Sequence, residues 1–292
     1  MNRIKGILYA AVSSSTFGLA PFFSITLLLA GFSAFEVLSS RWGVASIVLI
    51  VFGWLSGCNF RLAGKDWGVV FLLSLLRAVT SFSLIIAYQN IASGVASTIH
   101  FMYPLAVALV MMFFFREKKS LLVILAVLMS LLGAALLSLG ELEAKSGNTM
   151  VGLVAACVSV FSYAGYIVGV RTTRVVQINS TALTCYVMGL GTIFYLIGAY
   201  CTSGLQLVSD GYTWLIILGL ALPATAISNI TLVQAIKYAG PTLTSILGAM
   251  EPLTAVVIGV FVFKELFTVN SAVGIILILL AVSIVVFRRQ KS

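Results

Sequence analysis

The chain has 292 residues, of which 61% are hydrophobic and 9% charged, and it carries a net charge of +9. A soluble domain carries about 25% charged residues, so a water-soluble fold is excluded. The positive balance does not indicate nucleic acid, because the basic residues are scattered over short loops and tails rather than gathered on one face.

Apolar stretches of about 20 residues recur along the chain, each long enough to cross roughly 30 Å of hydrocarbon as a helix. The first, 4–28, follows the basic start "MNRIKG" and carries Phe17, Gly18 and Pro21. It is longer than the apolar region of a signal peptide and is read as a span. The second, 35–56, holds Arg41, and the third, 67–89, holds Arg77 near its middle and Tyr88 near its end. In the fourth, 94–115, His100 is the only histidine and precedes Tyr103 and Pro104 by about one helical turn. The fifth, 120–139, is apolar throughout, the sixth, 150–170, carries Tyr163, and the seventh is 180–202. The eighth, 212–235, contains Pro223 and Asn229; the ninth, 242–263, contains Glu251 and Pro252; the tenth is 269–287.

Ten spans put both ends of the chain on one side of the membrane. That side and its loops hold Arg3, Lys5, Arg61, Lys65, Arg116, Lys118, Lys119, Arg171, Arg174, Lys237, Arg288, Arg289 and Lys291, against Lys145 and Lys264 opposite. The positive-inside rule makes that side cytoplasmic. The expected location is a bacterial-type cytoplasmic membrane.

The segment "HFMYPLAVALVMMFFFREKKS" (100–120) aligns without a gap with "GAMEPLTAVVIGVFVFKELFT" (248–268). Pro104 falls on Pro252, Arg116 on Lys264 and Glu117 on Glu265. "GILYAAVSSSTFG" (6–18) resembles "GLVAACVSVFSYA" (152–164), with Phe17 opposite Tyr163. The chain reads as two halves, 1–145 and 146–292, of five helices each. An odd number of crossings makes the second half enter from the opposite side, which gives inverted repeats, a mark of secondary transporters. The predicted fold is therefore an all-α integral membrane protein, with ten transmembrane helices as two inverted five-helix repeats around a central cavity.

Two five-span repeats, each ending in a proline-broken span followed by a basic residue and glutamate ("FFFREK", "FVFKEL"), resemble the EamA-type transporters of the drug/metabolite transporter superfamily. In that family an aromatic followed by a small residue is frequent in the first span of each half. Here the pairs are Phe17-Gly18 and Tyr163-Ala164, where tryptophan is the commoner aromatic. The resemblance implies a ten-helix basket and export of small metabolites, such as amino acids, across the cytoplasmic membrane.

Ionisable groups deep in a span usually face the bundle interior, pair with one another and mark pathways. Arg41, Arg77, His100 and Glu251 are of this kind. Two readings stand for Glu251: it faces the cavity and binds a cationic group or a proton, or it pairs with Arg77 or Arg41 and fixes helix packing. Arg77 is a clamp for a substrate carboxylate or phosphate, or half of that pair. His100 reports pH or is a satisfied core residue. Phe17, Tyr88, Tyr103 and Tyr163 are candidate cavity walls, and Asn229 is a candidate hydrogen-bond partner for substrate. An acid and a base at mid-membrane suit a zwitterion such as an amino acid. Pro104 and Pro252 are candidate hinges, since each proline frees a carbonyl that a neighbour or a wet cavity must satisfy. Gly53/Gly57 and Gly165/Gly169 have the spacing that lets helices approach closely.

The four cysteines form no CxxC pair and no cysteine–histidine cluster, so no metal and no cofactor is predicted, and packing is their reading. No GxxxxGK[ST] loop supplies a nucleotide motor. Energy for transport then comes from the substrate's own gradient, a proton or another ion. The partners expected are a small-molecule substrate and the lipid bilayer. A passive channel or a non-transporting receptor is the alternative. A membrane-embedded enzyme ranks last, because one histidine without HExxH or GxSxG offers no catalytic constellation.

Overall fold

The computed structural model describes residues 2–91, 93–117, 121–138, 147–202, 204, 206, 208–261 and 268–288. Lys118, Lys119, Lys145, Lys264, Glu265, Arg289 and Lys291 lie outside them, as does the expected boundary at 145/146. Among the described residues the regular structure is helical, with no strand. The first half runs α1 (Asn2–Phe17), α2 (Ala20–Leu29), α3 (Ala34–Leu55), α4 (Trp67–Asn90), α5 (Ser93–His100), α6 (Tyr103–Phe113) and α7 (Leu121–Ser138). The second runs α8 (Thr149–Thr172), α9 (Ser180–Thr202), α10 (Gly211–Ala221), α11 (Ser228–Ala239), α12 (Pro241–Leu247), α13 (Met250–Phe261) and α14 (Val269–Arg288). A π-helical turn over Leu222–Ile227 joins α10 to α11.

Among the described residues seven helical runs are long and apolar enough to cross a membrane: Arg3–Leu29, Ala34–Leu55, Gly64–Asn90, Val95–Phe113, Thr149–Thr172, Ser180–Thr202 and Gly211–Ala239. Leu121–Leu136 and Ala272–Ile284 are shorter apolar helices. Large apolar side chains such as Trp54, Leu132 and Phe161 stand exposed on the outside, as a surface solvated by lipid requires.

Polar residues fix several helix starts. Ser33 and Glu36 form a capping box at α3, and the Glu36 carboxylate also accepts from the Gln206 amide at 2.7 Å. Asn148 and Asp210 cap α8 and α10 through their side chains.

The prolines fall early in a helical segment. Pro21 and Pro104 are second in α2 and α6, Pro223 second in the π turn, Pro241 first in α12 and Pro252 third in α13. In a first turn the missing N–H has no intrahelical partner to lose. The breaks themselves lie upstream, at Gly18–Leu19, Phe101–Met102 and Gly248–Ala249.

Packing between helices in lipid rests on close contact, since hydrocarbon is no worse a solvent for leucine than another helix. The four most extensive packings are α1 with α11, α4 with α8, α3 with α9 and α7 with α14. Gly169 admits the Leu73 side chain to the α4–α8 seam, where an added Cβ would stand 2.7 Å from Leu73 Cδ2; Gly165 faces Leu76 along the same seam. The pair Gly53/Gly57 acts differently. Gly57, with φ +65°, follows the end of α3, and Gly53 receives the ring of Phe60. Those two glycines finish a helix and seat its return loop.

Candidate functional site

Four broken or bulged runs converge at the middle of the bundle. The π turn is the first part of the site. Pro223 brings no N–H, and the wider turn leaves carbonyls whose partners are side chains. Thr225 Oγ1 donates to the Leu220 carbonyl at 2.7 Å, Asn229 Nδ2 donates to the Thr225 carbonyl at 2.8 Å, and Arg41 Nη2 reaches the Ala224 carbonyl at 3.4 Å. Arg41 Nε donates to Thr225 Oγ1 at 2.5 Å. A bend in the eighth helical run thus receives an arginine from α3.

Arg77, on α4, lies beside it. Its Nε donates to Asn229 Oδ1 at 3.1 Å and its Nη1 to Ser81 Oγ at 3.3 Å. Both arginines are buried, 4% exposed for Arg41 and 1% for Arg77. The Phe17 ring centroid is 5.5 Å from the Arg41 guanidinium carbon and 5.3 Å from that of Arg77. Tyr163 and Tyr166 lie 5.0 and 6.0 Å from Arg77. A desolvated cation over an aromatic ring gains about 2 kcal/mol, less than the several kcal/mol per ion that burial costs.

Glu251, in the first turn of α13, accepts a long hydrogen bond from the Tyr103 hydroxyl at 3.5 Å. Among the described residues no ion pair joins it to Arg77 or Arg41. Glu251 lines a cavity of about 50 Å³ with Phe17, Pro21, Tyr88, His100 and Pro252. A second cavity of about 20 Å³ adjoins it, lined by Phe17, Pro21, Arg41, Arg77, Ser81 and Tyr88. Phe17, Pro21, Leu84 and Tyr88 border both, so the two cavities share a wall. Together they have room for a few water molecules, at roughly 10–15 Å³ each.

Gly18 brings these parts close. A Cβ there would stand 2.7 Å from the Glu251 carbonyl oxygen, so the break between α1 and α2 lies against the start of α13. Gly248 makes room for the Tyr103 hydroxyl in the same way.

His100, at the end of α5, shares a hydrogen bond of 2.9 Å between Nδ1 and Ser159 Oγ. Its ring packs on Tyr163 with centroids 5.3 Å apart, and its buried Nε2 has no partner among the described residues. Tyr88 shares a 3.3 Å hydrogen bond with Ser97. Of the candidate site residues, Arg41, Arg77, His100, Glu251, Phe17, Tyr88 and Pro252 border these cavities, Tyr103 touches Glu251, Tyr163 touches Arg77, Pro104 follows Tyr103 in α6, and Asn229 stands one step back. Its amide is spent on Arg77 and the Thr225 carbonyl, so it positions the arginine rather than offering a free group. Thr225, Ser81, Ser159 and Tyr166 were not foreseen. Hydroxyls are common in membrane spans, and the nearest signal was Pro223, two residues before Thr225.

A wider recess of about 440 Å³ lies at the end of the bundle that the sequence assigns to the cytoplasm, lined by Arg3, Met111, Glu117, Arg171 and Tyr238–Pro241. Thr242 Oγ1 donates to Glu117 Oε2 at 2.5 Å there, tying the start of α12 to the segment after α6.

The sequence profile of the EamA-like transporter family matches residues 4–139 and again 150–287. No curated protein matches the chain. A solved crystal structure of a protein 17% identical superposes with a TM-score of 0.79 over 97% of this chain and 96% of its own, and so shares the fold.

Proposed function

The chain belongs to the EamA-like transporter family, and from that premise we propose a secondary transporter that carries small metabolites bearing an acidic group, amino acids among them, by alternating access. The observation that carries this reading is the cluster of Arg41, Arg77, His100 and Glu251, buried mid-bundle beside three helix breaks and lining two adjoining cavities. Ionisable groups at such depth are retained where substrate or protons pass. The cavities are small, so entry of a metabolite requires the broken segments to swing, with Pro104 and Pro252 as hinge positions.

The halves are 1–145 and 146–292, ten spans in inverted array with both chain ends in the cytoplasm. The packing supports a two-fold relation between the halves. Exchanging each helical run for the one five places on turns the α1–α11 contact into α8–α4, and returns α3–α9 and α7–α14 to themselves. Residues that align between halves also meet in space: Tyr103 bonds Glu251, and Phe17 and Tyr163 both lie on Arg77. That is the behaviour of groups close to a pseudo-twofold axis. Export is the family's direction and is adopted with it.

Glu251 is the proton carrier in this scheme, because it is the acid that borders the cavity and no cation is paired with it among the described residues. Purified protein in proteoliposomes is expected to give saturable counterflow with a member of a broad metabolite panel. Glu251→Gln is expected to keep counterflow while losing acceleration by an imposed pH gradient. Absence of counterflow across the panel would sink the transport reading. A Glu251→Gln variant still driven by the gradient would sink its coupling role. Currents far above carrier turnover would favour a channel instead.

A further inference from the structure

We infer that the central site takes a substrate of net negative charge, a carboxylate on an uncharged body, in preference to a zwitterion. This deepens the transport proposal and rests on its assignment of the central cluster as the substrate site.

The charge balance of the buried cluster carries the inference. An arginine does not deprotonate in a protein, so Arg41 and Arg77 bring two fixed positive charges. Their acceptors are all neutral: the Thr225 hydroxyl, the Ala224 carbonyl, the Asn229 amide oxygen and the Ser81 hydroxyl. Each guanidinium has five N–H donors. Arg41 Nη1 and Arg77 Nη2 donate to nothing among the described residues, and both side chains border the same cavity. Glu251 is the one carboxylate in the cluster, and it lies in the adjoining cavity with Tyr103. Even ionised, it offsets one of the two cations. Buried charge without compensation is costly, and burial makes an opposite charge the most effective ligand. A monoanion cancels the remaining charge, a zwitterion leaves it unchanged, and a cation adds to it.

The geometry agrees. Both arginines border one space, and a carboxylate held between two guanidinium groups can accept from each. Around it stand Phe17, Pro21, Leu84 and Ile85 with the neutral hydroxyls of Ser24, Thr80, Ser81 and Tyr88, and among the described residues its lining holds no carboxylate to pair with an ammonium. Zwitterion recognition would need a ligand that reaches from the arginines' cavity into the adjoining one, which Glu251 borders.

Calorimetric binding to the purified protein, with melting temperature in parallel, tests this on two matched sets. The aromatic set is hydrocinnamate, phenylalanine, phenethylamine and hydrocinnamyl alcohol. The polar set is gluconate, glucosaminate, glucosamine and sorbitol. In at least one set the anion is expected to bind about ten-fold or more tightly than its zwitterion, a free-energy difference that one displaced charge readily supplies. Amine and alcohol are expected to bind more weakly still. Arg41→Gln and Arg77→Gln are each expected to abolish the anion's advantage over its zwitterion. A zwitterion, amine or alcohol that binds as tightly as its anion in every set that binds overturns the inference, and so does an absence of binding by both anions. The wild-type ranking decides the matter even if an arginine variant does not fold. Anion binding together with failed counterflow would sink the transport reading and leave the anion site standing. Counterflow with zwitterions preferred would do the reverse.

Discussion

Arg41 and Arg77 show how far a membrane sequence can be read one residue at a time. A charge within an apolar run is conspicuous because hydrocarbon penalises it by roughly 2.5–3.5 kcal/mol, so Arg41, Arg77, His100 and Glu251 stood out in the sequence. The groups that aim them did not, because a hydroxyl on a membrane helix usually just donates to the preceding turn. Thr225 is the exception that matters, since the π turn places its Oγ1 where Arg41 Nε donates to it. Thr225→Val removes that acceptor while keeping the shape. A hydrogen bond to a charged group contributes about 1.5–3 kcal/mol, so the variant is expected to weaken binding of a carboxylate probe by about ten-fold or more. Calorimetric Kd values measure the effect. A maximal counterflow rate close to wild type would separate weakened substrate binding from impaired turnover. Asn229→Leu is expected to act in the same direction through Arg77, whose Nε would lose its 3.1 Å acceptor.

Where the helices break is decided by short stretches that periodicity alone does not reveal. The sequence reads Pro104 and Pro252 as hinges within the fourth and ninth spans. In the structure each falls early in a new segment, as does Pro21, and the interruptions lie two to four residues earlier, at Gly18–Leu19, Phe101–Met102 and Gly248–Ala249. Two of these contain a glycine that a neighbour presses against, a tertiary demand with no local signature. Gly248 is the stronger case, because the Tyr103 hydroxyl occupies the place of its missing Cβ. Gly248→Ala is expected to destabilise the protein by about 1–3 kcal/mol through overpacking, read as a lower melting temperature in detergent. It should also disturb the Tyr103–Glu251 contact. Pro104→Ala is expected to leave the melting temperature near wild type, because position two of α6 has no intrahelical acceptor for the restored N–H. A large stability loss in Pro104→Ala would show that the ring itself holds the break.

Across the whole molecule, the aligned segments around Pro104 and Pro252 made the two halves legible. Which helices touch was not, because pairing across halves depends on three-dimensional packing rather than on order along the chain. The seam of α1 with α11 and its counterpart α8 with α4 surround the site, and α6 and α12 meet beside the recess of about 440 Å³. Alternating access requires that end to part when the site opens inward. The Thr242 hydroxyl bonded to Glu117 at 2.5 Å spans the dividing line. Cysteines at both positions, E117C and T242C, in a background with Cys58, Cys157, Cys185 and Cys201 replaced by serine, can be joined by a short bifunctional maleimide. The joined protein is expected to lose counterflow while still binding a carboxylate probe from the opposite face. A cleavable form of the linker should restore counterflow when cut, and either single cysteine treated alone should keep it. If the linked protein exchanged substrate at the rate of its unlinked parent, the pathway would not pass between α6 and α12, and the moving boundary would have to be sought along the α7–α14 side.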